Sequence, residues 1–233
     1  MIFRQLFEPV SSTYTYLLAD AATREALLID PVIEEVEAYA ALLAEQGLTL
    51  KLTLETHVHA DHVTAASALR ERFGSRTVVK RGAGADCADH QADDGDVVRL
   101  GRITLEVRAT PGHTDGCVSY VADDRVFTGD ALLIGGCGRT DFQQGCAERL
   151  YESVTTRLFT LPPDTLVYPA HDYKGRTVST IKEERATNPR LGGGRTKEEF
   201  VALMAGLSLP RPKQIDRAVP ANLQCGRERS VQG

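Results

Sequence analysis

Hydrophobic and polar positions alternate in short runs over the first part of the chain. Residues 2–7, 14–19 and 25–29 are rich in β-branched, aromatic and aliphatic side chains and are separated by turn residues, the pattern of short strands. Residues 34–46 change period: Val36, Tyr39, Ala40 and Leu43 recur at helical spacing, and Gly47 stands where a helix ends. Residues 48–55 return to period two, with Leu50, Leu52 and Leu54 on one face and Thr49, Lys51 and Thr53 on the other. The spacing of Ala66, Leu69 and Phe73 predicts a helix over 61–73, capped by Gly74. Strands are predicted at 77–80, 103–109, 118–122, 126–128 and 165–168. Helices are predicted at 147–159, on the Tyr151, Val154 and Leu158 stripe, and at 177–186 and 197–207, with a loop at Gly192-Gly193-Gly194. Strands first, then strands interleaved with helices, predict a mixed α/β layered fold without an internal repeat. The expected organisation is a single domain over 1–225, with C-terminal helices from about 177. A polar, flexible tail is expected at 226–233.

Composition narrows the class. Of 233 residues, 42% are hydrophobic and 25% charged, which fits a folded globular chain rather than a disordered one. No apolar run approaches the roughly 18–20 residues that span a bilayer. The first residues read as neither a secretory signal nor a transit peptide. A net charge of −5 disfavours a general nucleic-acid surface but leaves room for a local cationic pocket. The five cysteines are irregularly spaced, form no CxxC pair and are odd in number, so no disulfide framework is expected. A reducing bacterial cytoplasm fits that usage.

The candidate chemistry sits in histidines and aspartates at predicted strand exits. Thr56-His57-Val58-His59-Ala60-Asp61-His62 follows one strand and opens the predicted 61–73 helix. In extended chain, residues 57, 59 and 61 share a side, and His62 follows on the first helical turn, so four metal-capable side chains converge. Thr110-Pro111-Gly112-His113-Thr114, Phe127-Thr128-Gly129-Asp130 and Pro169-Ala170-His171-Asp172-Tyr173 each leave one more such side chain at a strand end. Singly, each is an ordinary turn. Together they are hard to explain except as a metal site. His90 fits no pattern and is read as a surface residue.

In this order, an HxHxDH segment, a GHT histidine, a GD aspartate and a late strand-end histidine resemble the metallo-β-lactamase superfamily. The resemblance implies a four-layer αβ/βα sandwich, with Asp30 as the early aspartate that supports the site. Two branches compete. A glyoxalase II-like hydrolase holds two zinc ions and cleaves the thioester of an acyl-glutathione. On that pattern His57, His59 and His113 hold one metal, Asp61, His62 and His171 the other, and Asp130 bridges. The persulfide dioxygenase branch keeps the motifs but uses one Fe(II) per chain, held by His57, His113 and Asp130. His59, Asp61, His62 and His171 then support the ligands. Residues 134–143, 168–173, 181–191 and 209–222 are similar to the dioxygenase branch almost end to end, and too few residues follow His171 for the larger C-terminal domain of glyoxalase II. This favours the dioxygenase, although every potential ligand of a second metal is present.

The dioxygenase resemblance implies O2 and glutathione persulfide as substrates, sulfite and glutathione as products, and a place in sulfide oxidation. Arg139 is expected to bind the anionic substrate through a bidentate bond and Tyr173 to contact it. Cys137 invites a persulfide-carrier role, against the commoner reading of a buried, inert thiol. Partner expectations are a separate rhodanese-type sulfurtransferase and a second copy of the chain as a homodimer, with no nucleic acid and no membrane. A non-catalytic binding module is the remaining class; the intact ligand set speaks against it.

Overall fold

The structure is a computed structural model and describes residues 1–228. Twelve strands form two six-stranded mixed sheets. The first contains β1 (Ile2–Glu8), β2 (Thr13–Ala19), β3 (Glu25–Ile29), β4 (Thr49–Leu54), β5 (Arg76–Lys80) and β6 (His90–Ala92), in that spatial order. The second contains β7 (Val97–Leu100), β8 (Ile103–Ala109), β9 (Val118–Val121), β10 (Arg125–Gly129), β11 (Leu166–Pro169) and β12 (Ser179–Thr180), also in sequence order across the sheet. The helices are α1 (Val36–Glu45), α2 (Ala66–Phe73), α3 (Ala147–Ser153), α4 (Ile181–Thr187), α5 (Lys197–Ala205) and α6 (Ile215–Asn222). The chain divides into two compact units. One holds Met1–Ala92, Arg99–Ile103 and the segment from Arg211; the other holds Asp93–Val98 and Thr104–Pro210.

In the first unit β1, β2 and β3 pair antiparallel, then β3 to β6 run parallel. Parallel strands bring their carboxyl ends to one edge, and the Ile29 to Leu54 register sets the exits of β3 and β4 side by side. Leu17, Ala19, Leu28 and Leu50 from the sheet pack with Tyr39 and Leu43 of α1 and Leu69 of α2. Tyr39, Leu43, Leu50 and Leu69 are positions of the predicted periods, but a register shift after Leu50 pairs Leu52 and Leu54 with Leu27 and Ile29, so these two leucines do not join this core as the alternation predicts. In the second unit the parallel β10 and β11 do the same at their own exits, with Gly129 opposite Pro169. Val126, Val167, Leu150, Val154, Leu158, Phe200 and Met204 form that unit's core.

Several expectations need correction. The helix predicted from 61 begins only at Ala66. Residues 62–65 bond elsewhere: Ala65 N–H donates to Pro31 O (2.7 Å), Val63 O accepts from Ile33 N (2.9 Å), and Thr64 bridges to Val32. The helix predicted from 177 begins at Ile181, where Thr180 Oγ1 accepts from Glu183 N. Helix α6 was not expected, because Pro220 lies inside it and reads as a breaker. A disulfide joins Cys87 and Cys225, against the expectation of none. The spacing test looks for local patterns, and this pair is 138 residues apart. Of the tail expected at 226–233, residues 229–233 lie outside the described residues. The rest is engaged: Gly226 N–H donates to Ala221 O (2.9 Å), and Glu228 accepts from Arg217 Nε (2.6 Å). His90 is exposed, as expected. No helix among the described residues is long and apolar enough to cross a membrane.

One buried relay fixes the turn after β3. Thr15 Oγ1 donates to Asp30 O (2.7 Å), Tyr39 Oη donates to Thr15 Oγ1 (2.9 Å), and Val32 N–H donates to Tyr39 Oη (3.0 Å). Tyr39→Phe takes the acceptor from a buried N–H. The expected loss is about 1–3 kcal/mol of stability, measured by urea unfolding; an unchanged midpoint would refute the relay.

Candidate metal centre

The first unit contributes the edge after β3 and β4. Asp30 leaves β3 at φ +51° and is 1% exposed. Its Oδ1 accepts from Thr56 N (2.7 Å) and its Oδ2 from Thr56 Oγ1 (2.8 Å). The Thr56 hydroxyl hydrogen is therefore spent on Asp30, so Thr56 Oγ1 accepts from His57 Nδ1 at 3.0 Å. That selects the His57 tautomer with its lone pair on Nε2, the form that ligates a metal. His59 Nε2 lies 3.1 Å from Asp30 Oδ1 and 3.8 Å from Glu55 Oε2. Burial opposes protonation of His59, but Asp30, with Asp61 and Glu55, outweighs it and pushes the imidazole pKa up. Burial, reinforced by the Asp30 charge, pushes Glu55 up as well. His62 Nδ1 lies 2.9 Å from Asp61 Oδ2, which also accepts from Thr13 Oγ1. Ring centroids are 4.0 Å apart for His57 and His59, and 4.3 Å for His59 and His62. The four HxHxDH side chains thus gather in one place, although on irregular chain rather than on an extended strand and a helix.

The second unit contributes the exits of β8, β10 and β11. Gly112 turns at φ +135°, and a Cβ there would stand 2.3 Å from Leu150 N, so only glycine lets the turn reach α3. His113 Nδ1 lies 2.7 Å from the carbonyl oxygen of Arg139. A carbonyl only accepts, so Nδ1 carries the hydrogen and the lone pair is again on Nε2. Asp130 follows β10, and its Oδ2 is 3.6 Å from that Nε2. The β10 to β11 register carries His171 to the same edge, where its Nδ1 lies 2.7 Å from Asp130 Oδ1. His113, Asp130 and His171 are therefore together, and all three are buried.

Other expected residues have different surroundings. Arg139 spends its guanidinium inside the protein: Nε and Nη2 bind Asp141, and Nη1 and Nη2 reach Pro210 O and Leu209 O. Its carbonyl, which sequence reasoning did not consider, is what meets His113. Tyr173 is 71% exposed, with its ring parallel to that of His171 at 6.2 Å between centroids. Cys137 is 2% exposed near Met204, and burial pushes its thiol up to about 11, so it has the inert character of the commoner reading. Sequence reasoning also missed Thr56, Gly138 and Asn222. The Thr preceding HxHxDH was the one available signal.

Gly138 shows how tight the second half is. A Cβ there would stand 2.8 Å from the His113 ring and 2.7 Å from Asp130 O. Gly138→Ala is expected to displace the ring and weaken metal binding by about tenfold, measured by titration with Zn(II) or Fe(II). Wild-type affinity would show that the ring adapts.

Residues 9–171 match the Metallo-beta-lactamase superfamily. The chain is 57% identical over 229 residues to "Persulfide dioxygenase ETHE1, mitochondrial" of Homo sapiens, covering 97% of this chain and 89% of that protein. Its counterpart in Mus musculus is 56% identical over the same shares. Among solved structures, "Crystal structure of ETHE1 from Myxococcus xanthus" aligns with a TM-score of 0.95 at 58% identity, covering 97% of this chain and 100% of that one. The α/β sandwich expected from the motifs is thus the fold of this chain, and metal binding goes with it. The chain belongs to the metallo-β-lactamase superfamily and, within it, to the ETHE1 persulfide dioxygenase family.

Proposed function

We propose that the chain is a persulfide dioxygenase that holds one Fe(II) with His57, His113 and Asp130 and acts on glutathione persulfide. The carrying observation is the proton placement on the two imidazoles. Each has Nδ1 against an oxygen that must accept, Thr56 Oγ1 in one case and Arg139 O in the other. Two neutral imidazoles ligating through Nε2 and one carboxylate make the donor set that suits ferrous iron with positions left open. The identity to relatives named persulfide dioxygenases supports the same reading.

Bound there, Fe(II) supplies sites for the persulfide sulfur and O2 and the electrons that O2 activation requires. The net change converts persulfide, O2 and water to sulfite and thiol, with both atoms of O2 ending on the outer sulfur. The protein's own part is positioning. His171 donates to Asp130 Oδ1, which leaves Oδ2, on the side of His113, as the oxygen that would hold the metal. Thr56 and Asp30 fix the His57 ring. One carboxylate against a divalent ion leaves the centre cationic, which suits an anionic sulfur. Arg139 and Tyr173 are the proposed substrate contacts. To take the glycine carboxylate of glutathione, Arg139 exchanges it for the Asp141 carboxylate now on its fork. His59, Asp61 and His62 complete the surroundings as hydrogen-bonding groups.

A rhodanese-type sulfurtransferase is the class of enzyme that makes such a persulfide, and homodimer assembly belongs to the same reading. The bacterial cytoplasm remains the proposed compartment. There the Cys87–Cys225 pair would be exposed to reduction; the mammalian relatives are named as mitochondrial.

Anaerobic loading with Fe(II), then addition of glutathione persulfide and oxygen, is expected to give oxygen uptake matched by sulfite. Asp130→Ala should retain neither iron nor turnover. Two zinc ions per chain with rapid hydrolysis of an acyl-glutathione and no oxygen uptake would overturn the proposal in favour of the hydrolase.

A further inference from the structure

The C-terminal helix ends on the ligand segment of its own unit. Asn222 is 5% exposed, and its amide is used on both sides. Its Nδ2 donates to His59 O (2.9 Å) and His62 O (2.8 Å), and its Oδ1 accepts from Thr64 N (2.8 Å). The orientation is unambiguous, because the nitrogen faces two carbonyls and the oxygen faces an N–H. Three bonds from one side chain thus fix the backbone between His59 and Thr64, the stretch where the predicted helix fails to form. They substitute for helical bonds that this stretch lacks.

The helix is itself anchored there. Ala218 and Ala221 pack against Val63. Cys225 O accepts from Ser67 N (2.9 Å) at the start of α2. Gly226 passes so close to Thr64 that a Cβ on it would stand 2.1 Å from Thr64 O, and it does so at φ +87°, which glycine tolerates. Three residues after Asn222, Cys225 is bonded to Cys87, between β5 and β6 of the same unit. The disulfide therefore ties the end of the clamp to the connection between β5 and β6 of the same sheet.

We propose that Asn222 is a positioning residue for the HxHxDH segment, that the Cys87–Cys225 disulfide holds it in place, and that metal retention therefore depends on the oxidation state of this cysteine pair. The inference rests on the metal reading of His57 and its neighbours. Reduction breaks the S–S bond, takes up two electrons and two protons, and yields two thiols. A water-soluble phosphine supplies the electrons and leaves as the phosphine oxide, its oxygen coming from water. Asn222 then keeps its three hydrogen bonds but loses the covalent anchor that limits how far α6 can lift.

The test uses the full chain loaded with Zn(II) and follows metal release to a colorimetric chelator. Asn222→Asp keeps the size and the acceptor for Thr64 N–H but removes both donors. It is expected to release metal about tenfold faster than wild type and, because it sets a buried carboxylate against two carbonyls, to lower the thermal midpoint of the metal-free protein as well. Phosphine-treated wild type is expected to release metal faster than the oxidised form. Cys87→Ser should match the reduced rate and not respond to phosphine. If Asn222→Asp does not fold, the comparison of oxidised with reduced wild type decides. Rapid release from Asn222→Asp with no effect of reduction overturns the disulfide's part. Equal release rates from all forms overturn the proposal while the metal reading stands. A wild-type chain that takes up no metal overturns both.

Discussion

A carboxylate removed from water must be neutralised and hydrogen-bonded, and Asp30 organises the HxHxDH segment of the first unit by meeting that demand. It draws in the backbone and hydroxyl of Thr56, and the hydroxyl's lone pair in turn holds the proton on His57 Nδ1. It faces His59, and its charge pushes that imidazole's pKa up against the effect of burial. The Thr15, Tyr39 and Val32 relay then fixes the turn on which Asp30 stands. Core, turn and ligand orientation are in this sense one hydrogen-bonded object. A defect in the relay is felt at the imidazole without touching it.

The second unit orients its own histidines by other means. There the parallel register of β10 and β11 sets Asp130 against His171, and a loop carbonyl orients His113. The close approach at Gly138 makes that carbonyl's position a property of the loop as a whole. In each unit a carboxylate and an imidazole follow neighbouring parallel strands, Asp30 and His57 after β3 and β4, Asp130 and His171 after β10 and β11, where side chains from adjacent strands emerge together.

Much of this was legible in the sequence for a physical reason. Leucines at period two announced β4, although a register shift after Leu50 and the burial of Thr53 break the strict alternation they implied. Turns after strands need Gly or Pro, so Gly112 and Gly129 flagged His113 and Asp130. What could not be read depends on contacts distant in sequence. The late start of α2 follows from bonds to Pro31, Ile33 and Asn222 that override local helix propensity. Helix α6 forms despite Pro220 because Ala218 and Ala221 have Val63 to pack against. The Cys87–Cys225 pairing has no local signature. The Arg139 side chain looked available because the sequence does not reveal that Asp141 and two carbonyls already occupy it.

The acceptor that places the proton on His113 is a main-chain atom. Every amino acid carries a carbonyl, so no side-chain replacement at position 139 deletes this bond. Alanine scanning is blind to it, and comparison of residue identities between relatives is blind to it as well. The proton placement on this imidazole is written in the path of a loop rather than in the residue that occupies it. A redesign that keeps His57, His113 and Asp130 but reroutes residues 137–141 can therefore lose the proposed centre with all three side chains still in place.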